Sequence, residues 1–156
     1  MKVAIVHYWL VKMRGGEKVL EALCEMFPEA DIFTHVYCPE RISDVINSHN
    51  VSTSFIHKLP FSARLYQSYL PVIPLALKKL DLSEYDLVIS SESGPAKGVS
   101  VKAGAKHICY CHTPMRYVWD MYDEYRDNAG LLARFIMPLL IGWLRSWDKS
   151  TSDGVD

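Results

Sequence analysis

Side chains able to do chemistry gather in three short stretches of this sequence, each just after an apolar run. The densest is 107–120, HICYCHTPMRYVWD. Its first five residues have the character of a strand buried on both faces of a parallel sheet, and Pro114 suits the first position of a helix. The spacing therefore predicts strand, polar turn and helix, with His112 and Thr113 at the strand's end and Arg116, Tyr117, Trp119 and Asp120 beyond it. In an open α/β sheet, ligands collect at the carboxyl ends of the strands, where loops and helix N-termini converge. His112 is thus a candidate to hold a ligand by a positioned hydrogen bond; a histidine capping the strand end is the alternative.

The second stretch is Gly15-Gly16-Glu17, which closes the loop 9–16 and opens a run with Val19, Leu20, Leu23, Met26 and Phe27 near helical spacing before Pro28. Two glycines before a helix let backbone N–H groups approach an anion, and the helix dipole adds to the attraction. A plain tight turn is the other reading. Neither GxGxxG nor GxxxxGK[ST] is present, which excludes a dinucleotide fingerprint and a P-loop.

The third is 91–95, where Ser91, Glu92 and Ser93 follow the strand-like DLVISS. A serine here and His112 in the next loop resemble a nucleophile and base. The nucleophile elbow G-x-S-x-G is absent and no oxyanion loop is identifiable, so hydroxyls and carboxylate are better suited to a polyhydroxyl ligand or to capping the next turn. Metal binding is not expected. His107, Cys109 and Cys111 alternate on one strand face about 7 Å apart, too far for neighbouring ligands of one zinc. Cys109 and Cys111 read as small buried hydrophobes, and neither Cys24 nor Cys38 has a CxxC partner. Asp120, Asp123 and Glu124 read as a solvated face, not an acid/base pair.

These stretches need a scaffold. Strands are predicted at 2–8, 31–37, 51–56, 86–91 and from 107, alternating with helices at 17–27 and 39–47, which is the pattern of parallel βαβ units. The fold class expected is α/β, a Rossmann-like doubly wound parallel sheet with helices on both faces. Residues 60–82 crowd aromatic and aliphatic side chains beside Arg64, Lys78 and Lys79, and Pro71 and Pro74 divide them into two short helices. Such a segment suits lipid headgroups, although ordinary packing against the sheet is the simpler reading. The run 131–147 is too short to span a bilayer and is interrupted by Arg134 and Pro138.

At 156 residues, 49% hydrophobic and 22% charged, the chain can bury a core and lacks the composition of a disordered protein. A net charge of −1 argues against nucleic-acid binding over the whole surface. Four cysteines and a strand-like start point to a reducing compartment, the cytoplasm.

The blocks HYWLVKMRGGEKVLEAL, SSESGPAKGV and CYCHTPMRYVWD, in this order and at these separations, resemble the N-terminal domain of bacterial family-4 retaining glycosyltransferases of the GT-B fold, and within them mannosyltransferase-like enzymes of cell-surface polysaccharide assembly. The resemblance implies that residues 1–156 form the acceptor-side Rossmann-like domain, that the C-terminal donor-binding domain is absent, and that such a fragment alone is inactive. It implies a nucleotide-sugar co-substrate such as GDP-mannose, no metal or other cofactor, and a saccharide or lipid-linked saccharide acceptor. Gly15 and Gly16, with Glu17 beside them, would lie against donor phosphates and sugar, His112 would bond the sugar, and Arg116 and Tyr117 would serve the acceptor side. It favours peripheral contact with the inner face of the bacterial membrane, with Trp143, Arg145 and Trp147 as anchors, and self-association through surface left by a missing domain. A non-catalytic flavodoxin-like binding module is the alternative function, under which the polar residues at the strand ends stay unexplained.

Overall fold

The computed structural model describes residues 1–92, 94–127 and 130–155; at 92, 125 and 131–133 it describes the backbone alone. In chain order the elements are β1 (Val3–His7), α1 (Gly15–Met26), β2 (Asp31–Thr34), α2 (Asp44–Asn47), β3 (Val51–Thr53), α3 (Ser62–Leu65), α4 (Ile73–Lys78), β4 (Leu87–Glu92), β5 (Lys106–Cys111), α5 (Tyr122–Asp127) and α6 (Leu131–Ser152). The five strands form one parallel sheet in the order β3-β2-β1-β4-β5.

Side-chain alternation along the strands explains the two layers of helices. Val3 and Ile5 of β1, Ile32 of β2, and Leu87 and Ile89 of β4 face Leu20 and Cys24 of α1 and Ile46 of α2. Ala4, Val6, Phe33 and Val88 point the other way, onto Ile73, Ala76 and Leu77 of α4, with Trp147 of α6 packed at the margin. Every residue of β1 is buried. This is the Rossmann-like α/β fold that the alternating pattern predicts.

Several local expectations are corrected. The strand 107–111 is not buried on both faces: β5 is the edge of the sheet, and among the described residues no helix covers it on the α1 side, so Ile108 and Tyr110 are about half exposed. Cys109 is half-buried and Cys111 exposed, on the opposite face of the same edge strand. Pro114 does not start a helix. Residues 116–121 form turns, because Met115 and Val118 are drawn into a small cluster with Leu144 while side chains from α6 take the turn's polar groups. The Arg145 Nε donates to the Val118 carbonyl at 2.7 Å, and the Trp119 indole N–H donates to Asp148 Oδ2 at 2.8 Å. Asp148 also pairs with Lys97 Nζ at 2.6 Å, both side chains buried, which ties the 96–98 turn to α6.

No helix among the described residues is long and apolar enough to cross a membrane. In α6, two of the three side chains expected as interfacial anchors turn inward: Arg145 lies over the rings of Trp119 and Tyr122, and Trp147 packs on the core. Phe135, Leu139 and Trp143, four residues apart, form the outward apolar row instead.

Candidate functional site

The chain lays β1, β2 and β3 down in one direction and then returns to place β4 and β5 on the other side of β1. Connections therefore diverge at the carboxyl ends of β1 and β4, the place where ligands bind in open α/β sheets. His7 pairs in register with Ser91, and Ser91 with Tyr110. These three residues form a row across the end of the sheet, on the face that α1 covers.

α1 begins at Gly15, two residues before the first residue expected to be helical, so both glycines lie in its first turn. Their N–H groups have no intrahelical acceptor, as at every helix start, and none is found among the described residues. A side chain at Gly16 would come within 3.6 Å of His7 Cε1 and 3.8 Å of both His112 Nε2 and the Tyr8 hydroxyl, whereas one at Gly15 would meet nothing within 4 Å. The second glycine thus fronts a space bounded by His7, Tyr8 and His112.

His112 follows β5 directly and reaches back across the sheet. Its Nε2 lies 3.1 Å from Ser91 Oγ, and its ring meets Tyr110 edge-on with centroids 5.0 Å apart. Burial holds its pKa below the ordinary imidazole value; the charge of His7 pushes the same way and Glu17 opposes both. The ring is therefore neutral at pH 7. Ser91 is fully buried, so the serine–histidine pair has no accessible nucleophile; the serine orients the imidazole.

Glu17 is turned inward. It is 2% exposed, and its Oε2 accepts the N–H of Arg14 at 2.9 Å, the N-terminal residue just before the helix. Its Oε1 is 3.7 Å from His7 Nε2, too long for a hydrogen bond but close enough for charge interaction. Burial raises the carboxyl's pKa, and His7 together with the backbone donors more than offsets this, so Glu17 stays ionised. Its place is behind the glycines, beside His7.

Four of the residues singled out from sequence, Gly15, Gly16, Ser91 and His112, thus meet around one opening. Ser93 and the side chain of Glu92 lie outside the described residues. Tyr117 lies over the loop after β4, where its hydroxyl would be 3.0 Å from a Cβ at Gly94, and Arg116 is exposed on the following turn. Sequence reasoning missed His7, Tyr8 and Tyr110. His7 carries the clearest signal in retrospect: it is an ionisable residue at the end of a central apolar strand, and neither ring nitrogen has a hydrogen-bond partner among the described residues. His107 points to the opposite face, where its Nε2 lies 3.1 Å from Ser90 Oγ. Among the described residues no three of His, Cys, Asp and Glu gather as a metal site would require.

The model of the family described as Glycosyltransferase Family 4 matches residues 13–149, which takes in the glycine turn, the end of β4 and the stretch around His112. No curated protein and no solved structure matches the chain. The five-stranded parallel sheet is consistent with one half of a GT-B fold, and the match gives the chain a function of glycosyltransferase type acting on sugar-related substrates. With most of its length matched, this chain belongs to Glycosyltransferase Family 4.

Proposed function

We propose that the chain is the acceptor-side domain of a retaining glycosyltransferase that moves a hexose, mannose from GDP-mannose in the first instance, onto a saccharide or lipid-linked saccharide of a bacterial surface polysaccharide. The observation that carries this reading is the meeting of the α1 N-terminus, Gly16 and His112 around one opening at the β1/β4 switch.

Sugar transfer with retention builds oxocarbenium character at the anomeric carbon and negative charge on the departing phosphate. Catalysis then rests on donors and dipoles fixed around that charge before it appears. The unpaired N–H groups of Gly15 and Gly16, at the positive end of α1, fit the phosphate. Absence of a side chain at Gly16 lets the sugar approach. With the Ser91 hydroxyl donating to Nε2, the neutral His112 ring carries its proton on Nδ1, which can then donate to a sugar hydroxyl. Glu17 and His7 support this arrangement from behind.

Calorimetric titration with GDP-mannose and a panel of other nucleotide sugars tests the reading. One of them should bind wild-type chain and bind His112→Ala at least about tenfold more weakly, as loss of a hydrogen bond in a low-dielectric site implies. Equal binding of all nucleotide sugars by wild type and His112→Ala would contradict the role given to His112.

A further inference from the structure

His7 ends the central strand of the sheet with a fully buried imidazole, and neither Nδ1 nor Nε2 has a hydrogen-bond partner among the described residues. Leaving buried polar atoms unpaired costs stability, so a histidine held this way calls for a role that an apolar residue could not fill. The polar edge of the ring faces the opening. Of the atoms near a Cβ built on Gly16, His7 Cε1 is the nearest, at 3.6 Å, and Cε1 is the carbon between the two ring nitrogens. On the same edge, Nε2 stands 3.7 Å from Glu17 Oε1.

Glu17 sets the electrostatic problem. Its carboxylate is ionised, 2% exposed and in the first turn of α1, where it already occupies the favourable field of the helix end. A second anion at Gly15 and Gly16 meets that carboxylate in a site shielded from water, and like charges there disfavour each other strongly. The titratable groups around His7 are Glu17 on α1, His112 beyond β5, and Tyr8, whose ring stacks on it with centroids 4.6 Å apart. Ser91 on β4 and Thr34 on β2, which flank it in the sheet, do not titrate. His112 is neutral at pH 7, and the Arg14 guanidinium donates to the Tyr66 hydroxyl at 3.3 Å. The imidazole of His7 is the group beside Glu17 whose charge can change near neutral pH.

We propose that His7 is a positioning residue for the donor diphosphate: as the anion settles at Gly15 and Gly16, His7 takes one proton from solvent and the imidazolium balances Glu17. The ring then donates from Nε2 toward Glu17 Oε1 and spreads positive charge along the edge that faces Gly16. Glu17 keeps its hold on the Arg14 N–H, at 2.9 Å, so the glycine turn holds its shape with the ligand in place. No covalent bond of the ligand changes. The inference rests on the transfer reading for the place of the diphosphate, and adds that binding there is coupled to protonation.

Calorimetric titration of the full chain with GDP-mannose, whose diphosphate does not titrate between pH 6 and 8, tests the coupling. In buffers of different ionisation enthalpy, wild type should take up a proton on binding, and affinity should strengthen as pH falls, by up to about tenfold per unit. His7→Gln should lose this slope, whereas His112→Ala should bind more weakly and keep it. Glu17→Gln retains an oxygen for the Arg14 N–H and removes the charge, so at pH 8 it should bind at least about twofold tighter than wild type. A residue that only capped the helix would give no such gain. Circular dichroism verifies that each variant folds. Affinity independent of pH in wild type, a slope that survives His7→Gln, or weaker binding by Glu17→Gln would overturn the proposal and leave the transfer reading standing. Failure of GDP-mannose to bind would count against the transfer reading, and inorganic sulfate then serves as the probe. Sulfate that shifts the Gly15 and Gly16 amides in NMR spectra should move the His7 ring titration toward higher pH; an unmoved titration, or amides that do not respond to sulfate, would overturn the proposal.

Discussion

His112 Nε2 lies 3.1 Å from Ser91 Oγ; Ser91 is on β4, and His112 directly follows β5, the neighbouring strand of the sheet. That contact makes the orientation of the imidazole depend on a hydroxyl that no ligand can reach. Ser91→Ala should leave the fold intact and weaken nucleotide-sugar binding by about fivefold, the loss of one neutral hydrogen bond. Calorimetry on the variant and on wild type gives the ratio.

The charge on His112 supplies a second test. Its pKa lies below the ordinary value, through burial and His7, and Glu17 partly restores it. Removing the carboxylate charge in Glu17→Gln should therefore move the His112 titration further toward acid. The sign follows from the lost attraction for the imidazolium. Ring-proton shifts followed by NMR from pH 7.5 downward measure it, and an upward movement would contradict the proximity of Glu17.

Gly16→Ala separates folding from binding. Gly16 has no positive φ, and the added methyl would make ordinary contacts of 3.6 to 3.8 Å with His7, His112 and Tyr8. Near the start of a helix, alanine should stabilise the chain by a few tenths to about 1 kcal/mol. The same methyl fills the space before His112, so nucleotide-sugar affinity should fall while the denaturation midpoint holds or rises. Gly15→Ala, with open space around it, should change binding less.

The contrast between these glycines shows what was legible in the sequence. Strand, glycine turn and helix could be read from 2–27 because the apolar period changes from that of a strand to that of a helix there. His112 was legible because polar residues follow an apolar run abruptly. What could not be read was the lateral arrangement. The apolar run 107–111 looks buried, yet β5 is an edge, and edge or centre is decided by strand order. His7 was hidden inside a strand for a related reason: its neighbours Glu17 and Ser91 are brought to it by a helix start and by a strand more than eighty residues away. Pro114 failed to start a helix because Arg145 and Asp148, far along the chain, take the polar groups of the 116–121 turn.

His35 makes folding stability depend on pH. Burial lowers its pKa from 6.5 to about 4, while its Nδ1 lies 2.9 Å from Ser54 Oγ. Between those two values the unfolded chain binds a proton that the folded chain excludes, so stability falls as pH drops through this window and is fully present above it. The loss is on the order of 3 kcal/mol at its limit. Urea midpoints at several pH values from 7 to 4 should show it, and His35→Gln should flatten the slope.

α6 is held by a close fit and a buried pair. A methyl at Gly98 would run into the Trp147 ring, so Gly98→Ala should cost about 1–3 kcal/mol. Asp148→Ala removes the carboxylate facing Lys97 and should cost about 3–5 kcal/mol. Thermal unfolding ranks the two, with Asp148→Ala the less stable.

The most direct test of the site is a map of where a nucleotide sugar lands. In a 1H–15N NMR titration with the tightest-binding nucleotide sugar, the account predicts the largest shifts at the Gly15 and Gly16 amides, at His7 and Tyr8, and at His112. Shifts confined to another surface, with these residues unmoved at saturation, would contradict it.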